Sequence, residues 1–102
     1  MTNTPEAPGG PGREHFRVNP DAVAQRLGEE IVLVHLTTDR MYVLNQTAAR
    51  AWELLCAGHD ALAVRHRMLQ EFEVSPNQLA DELDHLARWL QTEQLITHDA
   101  DQ

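Results

Sequence analysis

The sequence predicts a small α+β domain in which a three-stranded antiparallel sheet precedes three helices. The 102-residue chain is too short to form two independent cores. Its β-branched apolar runs lie before residue 45, and the segments with helical spacing of apolar residues lie after it. Only Glu73 and Val74 lie between the second predicted helix and the cap residue of the third, so the order indicates a winged helix-turn-helix with the sheet placed first.

Two β-favouring runs predict a hairpin over residues 30 to 44. The run from Glu30 to Leu36 is apolar on both faces, as in a strand that helices cover on one side. Thr37 to Arg40 supplies a polar turn, and Met41 to Leu44 forms the next strand. Residues Val23 to Leu27 form either the first strand or a short helix. If the strands form a simple meander, the strand at residues 41 to 44 lies at the sheet edge.

Cap residues divide the second half of the chain into helices. Asn45, Asp60 and Ser75 are predicted N-caps, because their side chains can accept hydrogen bonds from the first free amides of a helix. Gly58 ends the first helix, and Gln78 is predicted to reach back to the cap of the third helix as in a capping box. The predicted helices cover residues 46 to 57, 61 to 72 and 76 to 94.

The two ends of the chain are predicted to lie outside the domain. Residues 1–13 hold three of the five prolines and three of the five glycines, with almost no apolar side chains, so they are expected to be disordered. The chain from Thr97 onward is polar and is expected to fray. We therefore place the domain at residues 14–97 and a frayed tail at residues 98–102.

The charge of the chain argues against nucleic acid and membrane surfaces as partners. Eight Arg and no Lys stand against sixteen Asp and Glu, a net charge of −8. A DNA-binding winged-helix transcriptional regulator is the alternative function for this fold, but its third helix would meet phosphates. Residues 75 to 94 carry Asp81, Glu82, Asp84 and Glu93 against Arg88 alone. No long apolar segment or signal sequence occurs, so we expect a cytoplasmic protein.

Catalytic and metal-binding patterns are missing from the sequence. The six His include no pair at helical ligand spacing, and the single Cys excludes an internal disulfide. We expect the His to be solvated or at interfaces, and Cys56 to be a buried small apolar residue. A small enzyme or thiol redox sensor centred on Cys56 remains a third class. The prediction is a binding module, not an enzyme, with no cofactor and no metal.

The predicted edge strand and one flank of the third helix could together bind a peptide. The edge carries no Lys or Pro that would block pairing, so either a peptide adds to it by β-augmentation or another part of the chain covers it. Gln78, Glu82, His85 and Trp89 share a flank beside the core stripe of the third helix. An indole at that angle either packs on the sheet or forms the wall of a groove.

Several segments resemble the PqqD family, the recognition elements for precursors of ribosomally synthesised and post-translationally modified peptides (RiPPs). The resemblance covers Val18 to Ile96 and includes the runs GEEIVLV, MYVLNQTAARAWELLCAG, LQEFEV and DELDHLARWLQTEQLI. The most specific part is Tyr42-Val43-Leu44-Asn45 with Ala48 and Trp52, which is similar to a family junction Y-x-L-N-x-x-A. The chain departs from the pattern at Gln94, where a Gly commonly stands, and in its N-terminal tail.

The resemblance implies a non-catalytic protein that does not bind DNA. Family members bind the leader of a precursor peptide as an added strand on the third strand of the sheet, beside the third helix. They present the peptide to a modifying enzyme or leader peptidase. The junction that ends in Trp52 to Leu55 resembles the stand-alone members that work with a leader peptidase in lasso peptide pathways more than the cofactor-pathway member that works with a radical SAM enzyme. Carried over here, the leader would pair with the backbone of Arg40, Met41, Tyr42, Val43 and Leu44 and contact Glu82, His85, Leu86 and Trp89. We expect a monomer or weak dimer.

Overall fold

The computed structural model describes residues 15–99, which form two antiparallel sheets and three helices. The elements are β1 (His15–Val18), β2 (Ala22–Leu27), β3 (Glu30–His35), β4 (Arg40–Leu44), α1 (Gln46–Cys56), α2 (Ala61–Glu71), α3 (Pro76–Thr92) and β5 (Ile96–Asp99). Strands β2, β3 and β4 form a meander in that order, and β1 pairs with β5. The predicted sheet and helices are confirmed, and Ala22–Leu27 is a strand rather than a helix.

The predicted caps are formed at all three helices. The side chains of Asn45, Asp60 and Ser75 each accept a hydrogen bond from the backbone amide three residues further on. The predicted reciprocal bond of the capping box at α3 was wrong. The side-chain Nε2 of Gln78 donates instead to Glu82 Oε2 at 3.2 Å, one helical turn ahead on the same face.

Helices α1 and α3 end in the same hydrogen-bonding pattern. After α1, Gly58 has φ 97°, and the backbone amide of the next residue, His59, donates to the carbonyl of Leu54. After α3, Gln94 has φ 63°, and the amide of Leu95 donates to the carbonyl of Leu90 at 2.8 Å. Gln94 therefore takes the left-handed conformation that glycine adopts at the least cost, so the departure from the family pattern leaves this helix exit intact.

The core lies between the three-stranded sheet and the helices. Strand β3 buries Ile31, Leu33 and His35 on its inner face, and its alternate residues are half-buried on the outer face. A second cluster of buried residues joins the three helices. Its members are Ala51, Leu54, Val64, Met68 and Leu79.

The predicted fraying from Thr97 was wrong for the residues that the structure describes. Thr97 to Asp99 belong to β5, which pairs with β1 in a register that joins Val18 to Ile96. Phe16 and Val18 pack against the core, and Ile96 is buried, so burial of these apolar side chains holds the pair in place. The predicted disordered tail at residues 1–13 and residues 100–102 lie outside the described range.

His35 is the buried polar residue that links the two sheets, which corrects the expectation of a solvated or interfacial histidine. Its ring is 2% exposed, and its Nδ1 accepts from the backbone amides of Thr37 at 3.2 Å and Thr38 at 3.4 Å. Its Nε2 lies 3.4 Å from the side-chain Nδ2 of Asn19. The same Nδ2 donates a hydrogen bond to the backbone carbonyl of Gln94. His35 thus supports the turn that leads into β4.

Candidate functional site

Strand β4 is an edge of the three-stranded sheet, and no strand within residues 15–99 pairs with its outer backbone. The two-residue loop between β2 and β3 makes Leu27 and Glu30 a hydrogen-bonded pair. Along β3, the backbone N–H and C=O groups of successive residues point alternately toward β2 and toward β4. The β3 residues whose backbone groups bond to β4 are therefore those opposite Arg40, Tyr42 and Leu44. The N–H and C=O groups of Met41 and Val43 therefore point away from the sheet. These groups are available to a further strand.

Helix α3 runs beside this open edge and contacts it through aromatic rings. The rings of Tyr42 and Trp89 meet edge to face, with centroids 5.2 Å apart and planes at 88°. Trp89 is 36% exposed, so its indole is partly packed on the strand and partly open to solvent. The contact separates two depressions between the strand and helix, which we call the upper pocket and the lower pocket.

The lower pocket lies where β4 begins and α3 ends. It has a volume of about 440 Å³ and is lined by Thr38, Arg40, Tyr42, Thr92, Glu93 and Gln94. The Tyr42 hydroxyl donates to Glu93 Oε1 at 2.6 Å, and Arg40 Nη1 donates to the same oxygen at 3.0 Å. The hydrogen bond to Glu93 raises the pKa of Tyr42 and lowers the pKa of Glu93. Glu93 therefore ties the open strand to the end of α3.

The upper pocket lies where β4 passes into α1. It has a volume of about 790 Å³ and is lined by Asn45, Thr47, Ala48, Asp81, Glu82, Leu83, His85, Leu86 and Trp89. Leu83, Leu86 and Trp89 supply apolar surface, and two exposed carboxylates supply negative charge. The pocket is suited to an apolar side chain with a basic group near it.

The structure brings together most of the residues that the sequence singled out. Glu82, His85, Leu86 and Trp89 line one pocket, while Arg40 and Tyr42 line the other. Met41 and Val43 are 69% and 62% exposed on the opposite face of the sheet, and Leu44 is buried in the core. Met41 and Val43 can therefore contribute backbone groups to the groove but no side chain, whereas the backbone of Leu44 faces β3, so Leu44 contributes neither.

The sequence analysis missed the contribution of α1 to the upper pocket. Asn45, Thr47 and Ala48 form its wall because α1 begins directly after the edge strand and turns toward α3. The sequence held a signal for this wall, because the predicted cap at Asn45 already placed the start of the first helix directly after the edge strand. Asp81, which entered the sequence analysis only as one of the charges of the third helix, also lines the pocket.

The charges of α3 do not fit a DNA groove. Its basic residue, Arg88, is 3.1 Å from Asp84 one turn away, so this guanidinium is already paired. Asp81 and Glu82 are exposed toward the upper pocket and would face phosphates in a helix-turn-helix complex. The surface of α3 favours a cationic or apolar ligand over a polyanion.

Cys56 and the potential metal ligands are the reactive groups to consider among the described residues. Cys56 is exposed, which corrects the expectation of a buried side chain, and desolvation together with Glu53 raises the pKa of its thiol. The thiol is therefore not activated as a nucleophile. Residues 15–99 contain no cluster of three or more potential metal ligands. None of the helices in that range is both long and apolar enough to cross a membrane.

Comparison with known proteins places the fold and the family. The solved structure of TbiB1 in complex with the TbiA(beta) leader peptide is similar, with a TM-score of 0.77 and 25% identity over 83% of this chain and 99% of that chain. A lasso peptide synthetase B1 complexed with the leader peptide has a TM-score of 0.73 and 23% identity over 80% of this chain and 96% of that chain.

Sequence comparison covers the strands and helices that form the groove. No curated protein sequence matches the chain significantly. The family model for coenzyme PQQ synthesis protein D (PqqD) matches residues 30–96, a span that begins at β3 and includes β4, all three helices and the start of β5. The chain therefore belongs to the PqqD family.

Proposed function

We propose that this protein is a non-catalytic recognition element that binds the leader of a ribosomally synthesised precursor peptide. The observation that carries the proposal is the open backbone of Met41 and Val43 on an edge strand beside an exposed indole. The two similar solved structures are complexes with leader peptides, which supports the same class of ligand here. A leader segment would add to β4 as a fourth strand.

The two pockets suggest how side chains of the leader are selected. In an added strand, alternate side chains lie about 7 Å apart on one face. Those that face the helices would enter the upper and lower pockets on either side of the contact between Tyr42 and Trp89. The upper pocket favours an apolar residue with a basic neighbour, because Asp81 and Glu82 lie beside its apolar floor.

The bound leader would hold the rest of the precursor for a modifying enzyme or a leader peptidase. The chain itself contributes no activated nucleophile among its described residues, so chemistry on the peptide would belong to that partner. The second of the similar structures carries a lasso peptide name. A lasso pathway is therefore the first one to test.

The direct test is a fluorescence anisotropy titration with a labelled leader from the precursor gene encoded beside this protein. Saturable binding at micromolar or lower concentration, reversed by unlabelled leader, is the expected result. A folded protein that binds no neighbouring leader would contradict the proposal. A gel shift with the upstream DNA of the operon tests the regulator alternative, and a specific shift would favour it.

Salt dependence tests the acidic upper pocket separately. If a basic leader residue pairs with Glu82, affinity should fall between low and physiological ionic strength. Glu82→Gln should weaken binding at low salt and reduce this salt dependence. An affinity that does not change with salt in either protein would show that the carboxylate plays no part.

A further inference from the structure

The outer face of the three-stranded sheet is apolar and uncovered. Its cross-strand neighbours Val23, Val34 and Met41 lie in one row across the three strands, and the next row holds Val32 and Val43 with the polar Gln25 at the β2 end. Val23 is 47% exposed, Met41 69% and Val43 62%, so no described element packs on them. The exposed valine and methionine side chains thus form an apolar patch next to the open edge of β4.

The charged residues of the sheet are sorted between its two faces. Arg26 and Arg40 lie on the inner side, where they form ion pairs with Glu53 and Glu93 respectively. On the outer face, Glu30 lies beside the apolar rows, opposite Leu27, and forms no ion pair with any residue between 15 and 99. The outer face is therefore apolar with an acidic border, and its best complement is an apolar surface bordered by Lys or Arg.

The charge and size of this face argue against a second copy of the chain as its occupant. Each copy carries a net charge of −8, so two copies would bring like charges together. Five residues in each of three strands cover roughly 250 Å², well below the ~800 Å² that each partner of a standard stable interface contributes. The face can therefore serve as the apolar centre of a transient contact with a different protein.

The face is continuous with the proposed leader site. Along β4, Tyr42 points toward the groove while Met41 and Val43 point outward. A leader strand added to β4 would place its own alternate side chains beside Met41 and Val43. Any protein docked on the outer face would then contact the bound leader without entering the groove.

We propose that the outer face of the β2–β3–β4 sheet is the docking surface for the enzyme that processes the bound peptide. The partner's contact surface would be apolar with a border of basic side chains. This inference rests on the proposed leader-binding function and adds a second surface to it. The helical side of the domain would remain free.

The test uses the full chain, the leader and the purified processing enzyme encoded beside it. Val23→Lys places a charge on β2, two strands away from the leader edge, and Glu30→Lys reverses the border charge. Leu62→Lys is the matched control, because Leu62 is an exposed apolar residue, 41% accessible, on α2. Leader affinity is measured by anisotropy, and enzyme affinity of the leader-loaded chain by biolayer interferometry.

We expect Val23→Lys and Glu30→Lys to lower enzyme affinity at least tenfold and to leave leader affinity within twofold. Leu62→Lys should change neither. Unchanged enzyme affinity in the first two variants would overturn the docking surface, as would a dimer of the parent chain that Val23→Lys dissociates. If Val23→Lys does not fold, the enzyme affinity of Glu30→Lys tests the docking surface. The anisotropy titration tests the proposed function separately: if the parent protein does not bind the leader, the proposed function is refuted, whatever the enzyme affinity.

Discussion

Proline at position 43 tests the open edge of β4 directly. The register places the Val43 amide on the outer side of the strand, so Val43→Pro removes a hydrogen-bond donor that the protein's own sheet does not use. A leader strand would make about four backbone hydrogen bonds with the N–H and C=O groups of Met41 and Val43. Proline removes one of these and leaves a carbonyl of the leader without its donor.

The size of the effect follows from the cost of that lost bond. A net hydrogen bond contributes about 0.5–1.5 kcal/mol, and a stranded polar group costs about 1–3 kcal/mol. We therefore expect leader binding to weaken by about 1–2 kcal/mol, which is about five- to thirtyfold in Kd. The free energy of unfolding should change little, because the sheet retains its own ladder between β3 and β4.

Anisotropy titration with the labelled leader and thermal unfolding measure the two quantities. Val43→Thr is the matched control, since it keeps the amide and the β-branched shape while it changes the outer side chain. Tyr42→Pro, whose amide faces β3, should unfold the sheet instead. The reasoning is refuted if Val43→Pro folds and binds the leader with the parent affinity.

Three further changes test the groove and the fold. Trp89→Ala should weaken leader binding by about 1–3 kcal/mol in the same titration, with Trp89→Phe closer to the parent; equal affinity of the alanine variant would exclude an anchoring role. Glu93→Gln should bring the pKa of Tyr42 down toward 10.0, because the carboxylate that raises it is gone. The chain has one tyrosine, so an absorbance titration reports this residue alone, and an unchanged midpoint would contradict the hydrogen bond. The pKa of Glu93 is lower in the folded protein than in the unfolded chain, so its carboxylate stabilises the fold above the unfolded pKa of about 4.3. This stabilisation is lost as the pH falls through the folded pKa. In urea unfolding, the stability of Glu93→Gln should therefore depend less on acid pH than that of the parent. His35→Leu should cost about 1–3 kcal/mol in urea unfolding, since it leaves the part-buried amides of Thr37 and Thr38 without their acceptor. If this variant is as stable as the parent, water replaces the imidazole as the acceptor.

Local signals explain why the helices and the edge strand could be predicted from the sequence. Asn45, Asp60 and Ser75 each bond to an amide three residues away, so the information that starts each helix lies within one turn. Helical periodicity likewise placed Glu82, His85 and Trp89 on one flank, and all three line the upper pocket.

Contacts between distant segments explain what could not be predicted. The strand at Ile96–Asp99 is polar apart from Ile96, and it forms because β1, far away in the chain, supplies a partner and the core buries the apolar side chains of the pair. His35 alternates with apolar residues along β3, but whether it is exposed depends on the turn and on Asn19, which close over it.

The sequence by itself determined the order of the elements, the helix starts and the acidic character of α3, because each depends on neighbours within a few residues or on composition. It made the edge position of β4 conditional on a meander, which the strand pairing then established. The tertiary structure alone decided that α1 joins α3 around the upper pocket and that Tyr42 meets Trp89. It also decided that the arginines of the sheet turn inward while its apolar outer face stays open. These features depend on which surfaces pack together, and that choice minimises the free energy of the whole chain rather than of any one segment.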